Sequence, residues 1–181
     1  PCFMPGQNCI NVYMNEVAKS RRYVWVMAYS FTLDDFTMEL MAAIKRGVKV
    51  RLLSDRTNAA TKAGRRNLDL LYDYAEIRID CSVPIQHSKV TVFDNSTVIT
   101  GSVNFSHQGF YKNSENMVII RDTATAVAYS SFYDKRWNLA SPYIQGLKPC
   151  IRSSKELHRI LKNAYSKIHR LGNFRHARGD W

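Results

Sequence analysis

Cysteine is scarce in this chain, four residues in 181, and no two of them form a C-x2-C pair with histidines spaced for zinc. A zinc ribbon and a dense disulfide scaffold are thereby excluded. Buried or free thiols are the expectation for Cys2, Cys9, Cys81 and Cys150, with a Cys2–Cys9 bridge as the alternative. Long apolar runs are also missing. The most hydrophobic stretch, residues 23–29 (YVWVMAY), is far too short to cross a bilayer, and no obligatory membrane contact is expected. The sequence opens on Pro1 with no basic-then-apolar leader, which leaves localisation open. No internal repeat or low-complexity segment breaks the chain.

Acidic residues are in deficit too: 15 Asp plus Glu face 26 Lys plus Arg, a formal charge of +11. The excess is concentrated. Residues 151–181 carry eight basic and two acidic side chains, and residues 56–66 (RTNAATKAGRR) carry Arg56, Lys62, Arg65 and Arg66 without an acid. Such a balance suits a polyanion, with a solvated basic face as the competing explanation.

Hydrophobic patterning predicts alternating helices and strands. Helices are expected over residues 8–20, 33–46, 65–74 and 123–138, and strands over 23–29, 48–54, 76–80, 87–93, 97–100 and 116–121. Residues 94–96 form a hairpin-type turn between two of the strands. The fold class is therefore α/β, a mixed, mostly parallel sheet flanked by helices on both faces. Residues 1–145 form this domain. Residues 146–181, opened by Pro142, Gly146 and Pro149, are expected to be a basic amphipathic tail with a helix over 153–171.

The chemistry is concentrated in residues 85–94 (IQHSKVTVFD). Strand alternation sends His87, Lys89 and Thr91 to one face and Val90 and Val92 to the other. A neutral imidazole is a competent nucleophile, and a neighbouring ammonium can hold a phosphate oxygen during attack. Just beyond lie Gly101-Ser102-Val103-Asn104 and Asn113-Ser114-Glu115-Asn116. Ser102 and Asn104 can donate to phosphate oxygens. Glu115 can accept from His87 Nδ1–H and leave Nε2 free to attack.

His87, Lys89, Asp94, Gly101, Ser102 and Asn104 together resemble the signature of the phospholipase D superfamily, H-x-K-x4-D followed by G-S-x-N. The similarity covers about residues 1–140, including Phe3-Met4-Pro5 and Ala28-Tyr29-Ser30-Phe31-Thr32, and is nearest to the single-motif branch of bacterial endonucleases and their mitochondrial relatives. The resemblance implies that His87 attacks phosphorus, Lys89 and Asn104 bind the phosphate, Ser102 assists, Glu115 orients His87 and Asp94 is structural. It implies neither metal nor cofactor. Two copies of the motif are needed, one histidine attacking while the other protonates the leaving oxygen. This chain has one copy; at His176-Ala177-Arg178 arginine replaces lysine and no aspartate follows at the required spacing. The implied assembly is a homodimer with paired His87 residues.

The expected activity is that of a metal-independent, non-specific endonuclease acting on single- or double-stranded DNA or on RNA. A cardiolipin-like lipid hydrolase and a non-catalytic nucleic-acid-binding module are the alternatives. Arg56, Lys62, Arg65 and Arg66 are the expected backbone contacts. Phe105, with Phe110 and Tyr111, is a candidate for stacking bases, with packing as the competing role. His107, beside the G-S-x-N loop, is the remaining histidine to watch.

Overall fold

The computed structural model describes residues 1–150 and Lys162. Along the chain come β1 (Cys2–Met4), α1 (Cys9–Lys19), β2 (Tyr23–Ala28), α2 (Asp34–Lys45), β3 (Lys49–Asp55), α3 (Arg56–Ala60), α4 (Lys62–Leu71) and β4 (Glu76–Asp80). After them follow β5 (Val90–Phe93), β6 (Thr97–Gly101), α5 (His107–Tyr111), β7 (Glu115–Ile120), α6 (Thr123–Leu139) and β8 (Ser141–Pro142). The strands form one sheet in the order β1-β7-β6-β5-β2-β3-β4-β8.

The apolar run at residues 23–29 becomes β2, near the middle of the sheet, because both of its faces are covered. Val24, Val26 and Ala28 join the core beneath α1 and α2, while Met27, with Trp25 packed against it, belongs to the core beneath α6. The sheet is mixed and flanked by helices on both faces, as the patterning predicts. Its parallel share is smaller than expected: only β2–β3 and β3–β4 run parallel, and the other five neighbouring pairs are antiparallel. Hairpin and meander connections explain this, since only a crossover helix such as α2 can join parallel neighbours. The three-residue β5–β6 loop turns on Asp94 and Asn95, both left-handed at φ 54° and 55°, and Ser96 N donates to Phe93 O across them.

Three local expectations change. The basic stretch at 56–60 is the short helix α3, because Asp55 caps it by accepting from Thr57 N, and Thr61 in turn caps α4 three residues earlier than predicted. β1 is added at the sheet edge, paired antiparallel with β7. The cysteines are not free thiols: Cys2 is bonded to Cys9 and Cys81 to Cys150. The turn after β1, where Gln7 N donates to Phe3 O, brings Cys9, the first residue of α1, back to Cys2, the first of β1. The second bridge joins Cys81, just past the end of β4, to Cys150: β8 runs antiparallel beside β4 and Tyr143 N donates to Ile77 O, so the chain leaves β8 toward the start of β4 and residues 144–150 return it to Cys81. The expected helix over 153–171 lies outside the described residues apart from Lys162, which is helical.

Candidate functional site

His87, Ser88 and Lys89 precede β5 rather than belonging to it, since regular pairing begins at Val90. The alternation continues through them all the same. Lys89 and Thr91 are buried on the α1 side, where Thr91 is hydrogen-bonded to the hydroxyl of Tyr13, while Val90 and Val92 pack beneath α6. His87 is exposed, and Lys89 reaches it from below. Its Nζ donates to the His87 carbonyl oxygen at 2.9 Å and lies 2.9 Å from His87 Nε2. An ammonium has no lone pair to offer, so Nε2 is the acceptor and the ring proton sits on Nδ1. Burial pushes the Lys89 pKa below its ordinary value, and the negative charge of Glu115 partly restores it.

Tyr29 is the site residue that motif reasoning missed. Its ring centroid is 4.8 Å from that of His87, and Lys89 Nζ lies over its face at 5.1 Å. The signal was topological. β2 pairs antiparallel with β5 at Met27 and Val90, and that register continued past the strand ends sets Tyr29 opposite Ser88, the neighbour of His87.

The G-S-x-N segment is fixed by backbone contacts. A Cβ at Gly101 would lie 2.2 Å from the Asn116 carbonyl oxygen, so only glycine permits this approach of β6 to β7. Ser102 N then donates to that oxygen, and Ser102 Oγ donates to Glu115 Oε2 at 2.5 Å while accepting from Asn116 N. Asn113 Nδ2 holds Glu115 Oε1 at 3.1 Å. The hydrogen bond expected from His87 to Glu115 is not made among the described residues: both Glu115 oxygens are taken by Ser102 and Asn113, and Glu115 acts on the site through its field at Lys89. Asn104 is held because Phe105 N donates to Ser30 O and Phe105 O accepts from Thr32 and Leu33, which ties this loop to the end of β2 beside Tyr29. Asn104 Oδ1 is buried with no hydrogen-bond partner.

Two expectations about individual residues are resolved by placement. Phe105 is 1% exposed and stacks on Phe36 with centroids 4.8 Å apart, so it cannot stack a base; its aromatic surface belongs to the core. Asp94 accepts from the main-chain N–H groups of Arg21, Arg22 and Tyr23, each at 2.8 Å. The four residues of β5 separate it from Lys89, five steps of extended chain or about 16 Å. It anchors the far end of β5 and touches none of the other signature side chains.

The basic residues divide into two groups. Asp55 accepts from Gln86 N at 2.7 Å, which sets the start of α3, and with it Arg56, beside the loop that carries His87. Lys62, Arg65 and Arg66 instead line an open groove of about 730 Å³ together with Asp69, Leu70 and Gln145, and no residue of the His87 cluster lines it. Arg66 is paired with Asp34 at 2.7 Å. Among the described residues no group of three or more His, Cys, Asp or Glu side chains is gathered as a metal centre, and no helix is long and apolar enough to cross a membrane.

Against known proteins, a family model described as "Cardiolipin synthase, PLD-like domain" matches residues 13–137. Phospholipase D of Rickettsia prowazekii is 33% identical over 132 residues, 71% of this chain and 62% of the relative. Mitochondrial cardiolipin hydrolase of Xenopus laevis is 28% identical over 123 residues, 68% of this chain and 58% of the relative. The chain thus spans about three fifths of the length of these curated relatives. Among solved structures, Nuc, a phospholipase D family member from Salmonella typhimurium, superposes with a TM-score of 0.76 at 33% identity, covering 78% of this chain and 95% of that one. NucT from Helicobacter pylori shares the fold, with a TM-score of 0.72 at 23% identity over 78% of this chain and 96% of that one.

Proposed function

Because the chain belongs to the phospholipase D superfamily, we propose that it is a phosphodiesterase that cleaves nucleic acid without a metal ion, through a phosphohistidine at His87. The observation that carries this reading is the 2.9 Å approach of Lys89 Nζ to His87 Nε2, with Nε2 as the acceptor. That lone pair is the nucleophile. When a phosphodiester enters, the ammonium transfers from Nε2 to a non-bridging oxygen, and Asn104 supplies a second donor from its Nδ2. Nε2 bonds to phosphorus as the bond to the leaving oxygen breaks, and that oxygen takes the Nε2 proton of the partner subunit's His87, which enters the step as the imidazolium while the attacking ring is neutral. Water, deprotonated by the same partner imidazole, then attacks phosphorus and releases His87. One His87 per chain makes the working unit a twofold homodimer.

Charge favours nucleic acid over phospholipid. A formal +11, with Arg56 beside the His87 loop and Lys62, Arg65 and Arg66 along a groove, provides contacts that any polynucleotide backbone satisfies regardless of sequence. The test is incubation with single-stranded DNA, duplex DNA, RNA and cardiolipin vesicles in excess EDTA. Shortened nucleic acid, with His87→Ala inactive yet still binding, supports the reading. Release of a lipid headgroup alone would replace it with a lipid hydrolase, retention of DNA without cleavage would make the chain a binding module, and loss of activity under chelation would refute the metal-free route. Equilibrium sedimentation checks the dimer, and full activity as a monomer would overturn it.

A further inference from the structure

The short helix α5 is sandwiched in sequence between two residues of the site. Asn104 lies three residues before it, and Glu115, held by Asn113, lies four residues after it. Its inner side is fixed: Phe110 is 3% exposed in the core, and a Cβ at Gly109 would fall 2.4 Å from the Asn104 carbonyl oxygen, so the helix backbone rests on the Asn104 loop. Its outer side carries His107 and Tyr111, one turn apart, with ring centroids 4.9 Å apart at an interplanar angle of 38°. Tyr111 is 41% exposed, His107 is exposed, and the next residue, Lys112, is exposed as well.

Two exposed aromatic rings in contact, backed by a phosphate-binding loop and followed by a cation, form a surface with no occupant inside the domain. We infer that His107 and Tyr111 are a stacking platform for an unpaired base adjoining the scissile phosphate, and that they bias the enzyme toward single-stranded nucleic acid. The inference rests on the nuclease reading above. The chemistry selects this ligand. An aromatic face accepts any base, but only when the base is out of a duplex, and the phosphate next to that base then lies toward the Asn104 loop on which α5 rests. A duplex keeps its bases stacked internally and gains nothing from the platform. A phospholipid would gain little from flat rings flanked by Gln108 and Lys112. The aromatics that sequence offered for stacking are thereby sorted: Phe105 and Phe110 are core residues, while Tyr111 faces outward beside His107.

The experiment compares wild type with Tyr111→Ala, Tyr111→Phe and His107→Ala on a single-stranded oligonucleotide, its duplex and bis(p-nitrophenyl) phosphate, with thermal melts of each protein. Tyr111→Ala should raise KM for the single strand roughly 5- to 150-fold, the loss of one stacked base. It should leave the duplex and the small diester unchanged, and Tyr111→Phe should behave as wild type. In the inactive His87→Ala background, a strand with abasic residues should bind more weakly than the intact strand by a similar factor. Equal binding of the two strands overturns the platform. So does an unchanged single-strand KM in Tyr111→Ala, or an equal loss on the small diester, which would make Tyr111 a support of the Asn104 loop. Wild type cleaving the diester but no nucleic acid would instead sink the nuclease reading on which the inference depends.

Discussion

Replacing Asp94 separates anchoring from chemistry. Its carboxylate receives three main-chain N–H donors, Arg21 on Oδ2 and both Arg22 and Tyr23 on Oδ1, each at 2.8 Å. At a partly exposed site each such bond stabilises by about 1 kcal/mol net. The residue also sits at φ 54°, where alanine costs about 1 kcal/mol that aspartate and asparagine largely avoid. Asp94→Ala should therefore destabilise by about 4 kcal/mol, and Asp94→Asn, which keeps the Oδ1 acceptor, by about 1–2 kcal/mol. For a domain of this size those figures correspond to losses in Tm of roughly 10 °C and roughly 4 °C. Calorimetry measures the melts, and kcat is then determined well below both transitions. Both variants should retain kcat within about threefold of wild type, because about 16 Å of strand separates Asp94 from Lys89. A folded Asp94→Ala protein as inactive as His87→Ala would refute the anchoring argument and place the aspartate in the reaction.

Gly101→Ala should cost about 1–3 kcal/mol and lower kcat on the order of 100-fold, because its Cβ would force β6 from β7 by about 1 Å where Ser102 meets Glu115; an unchanged melt and rate would contradict the close approach. Glu115→Gln should move the alkaline limb of the pH–rate profile to lower pH. Lys89 must be protonated to hold phosphate, burial already lowers its pKa from 10.5, and Glu115 raises it, so removing that charge lowers it further; a limb that stays put or rises would refute the coupling. Cys81→Ser/Cys150→Ser opens a loop with a sequence separation of 69 and Cys2→Ser/Cys9→Ser one of 7. Chain entropy gives about 4 and about 2.5 kcal/mol for the two, and denaturant titration with the order reversed would count against that account.

Much of this molecule was legible in its sequence because single-residue periodicities carried it. The run at 23–29 could only be a strand covered twice, and the alternation through residues 87–93 placed Lys89 and Thr91 on one face even though pairing starts at Val90. What escaped needed information from elsewhere in the chain. Cys81 and Cys150 meet because β8 lies along β4 and the segment after it returns to the end of β4, and no local spacing announces that. Tyr29 reaches His87 through the β2–β5 register, which is a property of two strands and a hairpin together. For Phe105 the sequence left base stacking and packing both open; the backbone ties to Ser30, Thr32 and Leu33 turn it inward against Phe36. Glu115 was expected to accept from His87; its bonds to Ser102 and Asn113 instead depend on β6 meeting β7.

The spacing of H-x-K-x4-D acquires a physical meaning from this placement. It is the length of one strand. His87 and Lys89 emerge at the end of β5 where β2 also ends, and Asp94 closes the opposite end by gripping the three residues that lead into β2. Pairing in β2–β5 is therefore pinned at the end remote from the chemistry. Side chains alternate with a period of two, so a slip of one residue would turn Lys89 from the buried α1 face toward α6 and carry its ammonium away from Nε2. The distant aspartate and the 2.9 Å contact are thus two ends of a single constraint. A motif can contain a residue that touches none of its other side chains, since what Asp94 adds is stability to the one register in which His87 and Lys89 are held together.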